Sequence, residues 1–368
     1  MLFALSRPLH DFIEYWTAAH LLIEHKNPYS LAEVSHMERS LGFEQSVPLM
    51  LLSPPMTLTL LAPLGLARSY VLAWLVWVAV LTAAVGFASR MLMDVYFGEL
   101  RLPEISDTSF YRGLFAFTFY PVLLCLRFTQ TAPFMLLGLA GFLFFESRKR
   151  SVIAGAFLSL TLIKPHLVFL IWLAVLLWSC QQRRWKTLTS AIGFTALLTA
   201  IALVIDRQAI QQYLELVRSP YLQAYAAGVA ALVRKMTDGV GTLWIQLVPP
   251  GLGLVWFLMY WRRHRKTWSW TEHLPMLVVV SVLTSAYGWL FDQTLLALPV
   301  IAVAGKRANA LGRLSGNPVV WYTALNCILM LVMALPTLNL LPAPIFLAVW
   351  LRRQSNKAQA ATALVGAS

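Results

Sequence analysis

Long apolar runs separated by short polar breaks fill most of this chain. They fall at about 70–91, 112–127, 132–145, 151–163, 167–180, 187–205, 243–261, 274–291, 294–304, 318–336 and 339–351. A helix that crosses a bilayer needs about 20 apolar residues. The runs between 112 and 180 are mostly shorter, and adjacent pairs there predict tilted or broken helices. Ahead of these runs, residues 48–66 are apolar but interrupted by Pro48, Pro54, Pro55 and Pro63, which predicts an interfacial or re-entrant segment. Before that, Phe12, Trp16, Ala19 and Ile23 recur at helical spacing, so an amphipathic helix is expected over 11–25. Asn27-Pro28 ends it, because the residue before proline is pushed out of helical geometry. A second short helix is expected over about 31–41. The pattern thus predicts an all-α polytopic membrane protein, a bundle of about 11 transmembrane helices. Three regions follow: an external loop with juxtamembrane helices (1–68), the bundle (69–351, interrupted by a second external loop at 206–241), and a cytoplasmic tail (352–368).

Composition strengthens this picture. Of 368 residues, 59% are hydrophobic and 12% charged, with a mean hydropathy of +0.67. Soluble domains carry roughly 25% charged residues, so a soluble globule is excluded. A net charge of +13 would suggest nucleic acid in a soluble chain. Here the basic residues sit in short loops: Arg148-Lys149-Arg150, Arg183-Arg184 with Lys186, Arg262 to Lys266, Lys306-Arg307 and Arg352-Arg353. All five fall on one side of the alternating map, which the positive-inside rule makes cytoplasmic. The expectation is a multi-pass protein of the plasma membrane (a bacterial inner membrane) with no nucleic-acid partner. The opposite breaks then place Asp11, Gln130, Lys164, His166 and Asp292 near the external face. Cys125, Cys180 and Cys327 lie in or beside apolar runs without metal spacing and read as buried apolar side chains, with no disulfide framework. Residues 1–10 are too short to span and do not form a cleavable signal, so an external start leaves the N-terminus without an anchoring helix.

Ionisable groups at membrane depth are costly and therefore functional candidates. Lys164 and His166 flank Pro165 between two apolar runs. They suit a phosphate on a lipid carrier, the lysine as a point charge and the histidine as a donor; snorkelling and helix capping are the plainer alternatives. Asp292 and Gln293 interrupt another apolar stretch, where an aspartate can equally be an N-cap. Gln130 is a sugar ligand or a turn residue. Asp11-x-x-Glu14 has the form of a capping box, yet a carboxylate at that place can also serve as a general base. No acidic pair has metal-site spacing, so neither a metal nor another cofactor is expected.

Residues 11–30, with an acid, aromatics, two alanines and Asn27-Pro28-Tyr29, resemble the first external loop of glycosyltransferase family 87, membrane enzymes of the GT-C type. Further similarities follow in order: Pro54-Pro55 with Ala62-Pro63-Leu64, Gln130 with Leu136-Leu137-Gly138, Ile163-Lys164-Pro165-His166 with Arg183-Arg184-Trp185, and Phe291-Asp292-Gln293 through Pro299, with Phe291 where the family has tyrosine. The resemblance covers roughly residues 10–300. It implies transfer of a hexose, such as mannose, from a polyprenyl-phosphate donor to a glycolipid or glycan acceptor on the extracytoplasmic face. It also implies that Asp11 is the catalytic base, while chemistry assigns Lys164 and His166 to the donor phosphate. Glu14, Tyr15, Trp16, Gln130, Asp292 and Gln293 are the expected substrate-binding set, with membrane lipids as surroundings. The family places a helix before the acid, so the short N-terminus suggests a late start or a truncation. A transporter or flippase of lipid-linked saccharides is the rival reading, and a non-catalytic membrane subunit the third.

Overall fold

The computed structural model describes residues 11–43, 47–98, 117–219, 242–311, 316–332 and 349. Among these the chain is all-helical. The elements in order are α1 (Phe12–Ile23), α2 (Leu31–Ser40), α3 (Met56–Gly65), α4 (Tyr70–Phe97), α5 (Tyr120–Arg127), α6 (Ala132–Ser147), α7 (Ser151–Ser159), α8 (Phe169–Gln182), α9 (Trp185–Ile205), α10 (Ala209–Arg218), α11 (Thr242–His264), α12 (Trp270–Leu283), α13 (Ala297–Leu311) and α14 (Gly316–Val332). Short 3₁₀ turns at Leu160–Ile163, Pro165–Leu167 and Leu290–Leu296 interrupt the apolar runs at the polar positions. The expected crossing at 339–351, the tail at 352–368 and the first ten residues lie outside the described residues, apart from Val349.

Local chemistry sets several starts. Ser30 Oγ accepts from Glu33 N at 3.4 Å to open α2, and Ser69 Oγ accepts from Leu72 N at 3.3 Å to open α4. Pro121 and Pro133 occupy the first turns of α5 and α6, where the missing N–H costs nothing. The proline-broken stretch before α4 yields only the ten-residue α3, too short to span.

Two apolar cores stack along α4. Its first half (Ala73, Trp77, Leu81) packs with α1, α2, α3 and the end of α9. Its second half (Val85, Ala88, Leu92, Tyr96) packs with α5, α6, α7, α8, α12 and α13. α1 departs from the amphipathic expectation: nine of its twelve residues are buried, because α2, α3 and α4 enclose it. A Cβ on Gly65 would collide with the Ala19 carbonyl, so α1 and α3 touch backbone to backbone.

Among the described residues two helices, α4 and α9, are long and apolar enough to cross a membrane. The outward faces are greasy. Leu72, Val76 and Val80 on α4, and Ile192, Phe194, Leu197, Ile201 and Val204 on α9, are all exposed. Contiguous apolar surface of this extent suits lipid rather than water. Cys125 is buried, but Cys180 and Cys327 are exposed, contrary to the buried reading. In a lipid-facing bundle an apolar position need not be an interior one.

Candidate functional site

The breaks between helices and the start of α1 supply two polar groups, linked through Glu14. Asp11 precedes the first turn of α1, yet its side chain makes no cap hydrogen bond, so the capping-box alternative is not what the fold uses. Gln130 Nε2 donates to Asp11 Oδ2 at 3.2 Å, and Tyr15 Oη donates to Gln130 Oε1 at 2.7 Å. Gln130 thus holds Asp11 from the break between α5 and α6, 119 residues away.

That break is built under strain. Thr129 adopts φ 55°, a left-handed conformation unfavourable for a β-branched residue. Trp77 Nε1 donates to the Thr129 carbonyl at 2.9 Å, and Gln130 N donates to Cys125 O at 2.9 Å. These two bonds hold the kink that turns the glutamine toward α1. Backbone strain of this kind clusters at functional sites.

Facing this group is a second one. Lys164 Nζ lies 2.6 Å from Asp292 Oδ1, with the Phe291 ring 5.2 Å from the ammonium. Asp292 is 2% exposed and Lys164 15%. Asp292 Oδ2 also accepts from Trp289 N at 2.9 Å, so it is an ion-pair partner and a local cap together. Lys164 does not snorkel away; its ammonium is held and keeps further donors for a ligand. His166 does not cap a helix. Its ring stacks on Tyr287, with centroids 3.7 Å apart, and its buried Nε2 has no hydrogen-bond partner.

Glu14 connects the two groups electrostatically. It is half-buried on α1 and senses Lys164, Asp11, Glu38 and Asp292. Burial pushes its carboxyl up to about 8, Lys164 pulls it back, and the three acids add to the rise. Glu38 itself is 2% exposed and accepts from Leu49 N at 2.9 Å.

Of the expected substrate-binding residues, Tyr15 and Trp16 are buried. Tyr15 donates to Gln130, and Trp16 lies against His20, centroids 3.6 Å apart. Gln293 is fully buried beside Asp292. Asp11, Glu14, Gln130, Lys164, His166 and Asp292 are connected by hydrogen bonds, an ion pair or charge. Sequence reading missed Tyr287 and the Thr129 kink; the aromatic before Gly288 was the only hint of the first, and nothing in the pattern signalled the second. Among the described residues no three His, Cys, Asp or Glu side chains gather as metal ligands.

In the loop at 206–241, expected to be external, α10 is described, with Ala209, Gln212 and Leu216 buried and Tyr213 against Tyr29, centroids 5.5 Å apart. Residues 220–241 of this loop lie outside the described residues.

The sequence model of glycosyltransferase family 87 matches residues 52–286. This span contains Gln130, Lys164 and His166, and stops short of Asp11 and Asp292. No curated protein and no solved structure matches the chain.

Proposed function

Since the chain belongs to glycosyltransferase family 87, we propose that it is a multi-pass membrane enzyme that moves a hexose from a polyprenyl-phosphate donor to a glycolipid or glycan acceptor. The bundle of about 11 crossings and the extracytoplasmic site are part of this proposal, supported by the positive-inside pattern and the lipid-suited outer faces. One observation carries the mechanistic reading: a carboxylate held by Gln130 and a lysine held by Asp292 both act on Glu14, and two residues from that lysine a histidine nitrogen lacks a partner.

In this mechanism the acceptor hydroxyl attacks the anomeric carbon and passes its proton to the Asp11 carboxylate. The bond from the anomeric carbon to the phosphate oxygen breaks, and the polyprenyl phosphate leaves as an anion. Lys164 supplies a fixed positive charge to that anion, and His166 Nε2 a hydrogen bond in its protonated tautomer. Gln130 and Tyr15 are positioning residues. Asp292 holds the Lys164 ammonium in place at rest. Lys164 and His166 serve the leaving phosphate without a metal, so transfer persists in a chelator.

The test is sugar transfer in proteoliposomes from polyprenyl-phosphate mannose and then from the glucose and galactose analogues. The expected result is transfer with one of these donors, lowered about 100- to 10,000-fold in Asp11→Asn, the usual contribution of a general base. Wild-type rates in a folded Asp11→Asn protein would remove Asp11 from the mechanism. Silence with every donor, together with donor translocation across the bilayer, would overturn the transferase reading in favour of a flippase.

A further inference from the structure

A groove of about 530 Å³ lies between α7 and α9, lined by none of the residues of the candidate site. Lys186, Ser190, Gly193 and Leu197 line it at one-turn intervals along a single face of α9, and Val152 lines it from α7. The two helices are clasped at its edge. Ser190 Oγ donates to the Val152 carbonyl at 2.6 Å, and a Cβ on Gly155 would collide with the Thr187 carbonyl. Further along, a Cβ on Gly193 would meet nothing within 4 Å, so the helix surface is open there. Phe194 and Leu197 flank the opening, 41% and 53% exposed.

The clasp also joins two basic loops. Lys149 and Arg183 each take a left-handed conformation, φ 59° and 54°, and these turns end α6 and α8 abruptly. Arg150 then leads into α7, and Arg184 and Lys186 open α9. Arg150, Arg183 and Lys186 are exposed and make no ion pair among the described residues. The nearby acid, Glu146, accepts from Thr187 Oγ1 at 3.3 Å and senses Arg184. Arg148 is occupied by the Phe144 carbonyl at 3.0 Å. The groove is therefore cationic at one end and apolar along the rest. A water-soluble anion would make no use of the apolar part, and a neutral lipid would leave the cations unmatched.

We propose that this groove binds an anionic phospholipid, its headgroup phosphate at Lys186 and the adjoining arginines and one acyl chain laid along Gly193, Phe194 and Leu197. Basic pockets between helices at a membrane surface recognise such headgroups, and chain length beyond the charge supplies contact area. The proposal is independent of the donor and acceptor assigned to the candidate site.

The experiment is native mass spectrometry of the detergent-purified full chain with phosphatidylglycerol or phosphatidylcholine of identical acyl chains. Phosphatidylglycerol is expected to be retained at least about fivefold better, and Lys186→Gln to lower its retention about fivefold, the usual effect of one basic residue near an anionic lipid. Gly193→Leu, whose side chain enters open space, is expected to lower retention while the protein keeps its melting temperature. Equal retention of the two lipids, or unchanged phosphatidylglycerol retention in both variants, overturns the site. Displacement of phosphatidylglycerol by equimolar polyprenyl phosphate also overturns it, since the groove would then belong to the donor.

Discussion

Gln130 shows how much one side chain can decide. Its amide donates to Asp11 and accepts from Tyr15, so a single residue orients the proposed base and secures α1 at once. Gln130→Met keeps the volume and removes both bonds. The expected result is transfer slowed roughly 10- to 100-fold, the worth of a hydrogen bond to a charged group expressed as rate, with protein levels in the membrane preserved. Glu14 makes a different prediction, on pH. Its ordinary value of 4.5 rises to about 8 in the fold, so between those values the folded protein holds a proton that the unfolded chain has released. Stability from this group is present at low pH and is lost as pH rises through the folded value. In thermal-shift measurements the wild type should lose ground to Glu14→Gln from about pH 5 to about pH 8. A constant difference across that range would place Glu14 in an ordinary solvated environment. The facing groups are Lys164, Asp11, Glu38 and Asp292, and Lys164→Met should widen the difference.

At the scale of elements, α1 turns from the amphipathic surface helix that its spacing suggests into a buried one. The periodicity of Phe12, Trp16, Ala19 and Ile23 marks one apolar face correctly. It does not reveal that Ile13, Ala18, Leu21 and Leu22 are covered as well. The cause is α3, which the prolines shorten and which lies directly on α1 through Gly65. Gly65→Val should push the two helices apart, at a cost of about 1–3 kcal/mol for overpacking. Transfer should fall with it, because Asp11 moves with α1; retained activity would show that α1 docks by other contacts. Polar breaks between apolar runs were legible in the sequence, since Pro133 and Pro165 stand at them. The Thr129 kink was not, because its φ of 55° is imposed by Trp77 and Cys125 rather than by threonine's own preference.

For the whole molecule, the central constraint is the pair between Lys164 and Asp292, 128 residues apart. It ties the break after α7 to the turn before α13. Removing one member of a buried pair leaves an uncompensated charge and costs about 3–5 kcal/mol. Asp292→Asn should therefore destabilise the protein strongly. Adding Lys164→Met should restore most of the stability, because the amide oxygen introduced by Asp292→Asn can still accept from Trp289 N, while transfer stays lost. Recovery of both properties would mean that Lys164 holds the fold together and takes no part in binding phosphate. Packing carries the rest of the stability, since the surroundings of a lipid-facing bundle are as apolar as its core.

What the sequence alone determined is local: which runs are apolar, and where proline and polar residues break them. It also supplied the chemical parts, because a lysine, a histidine and aspartates among apolar runs are too costly to be incidental. Only the tertiary structure decided which parts meet. Asp11-x-x-Glu14 has the local form of a cap, yet Asp11 is held by Gln130 and Glu14 lies among charges from distant breaks. Asp292 reads locally as a cap, and it is one, but its other oxygen holds Lys164. Tyr15 is buried and hydrogen-bonds Gln130, and Trp16 is buried against His20. The physical reason is the same in each case. Hydrophobic periodicity and capping act within a few residues along the chain, whereas a buried polar group takes whichever partner the packed helices bring within hydrogen-bonding distance.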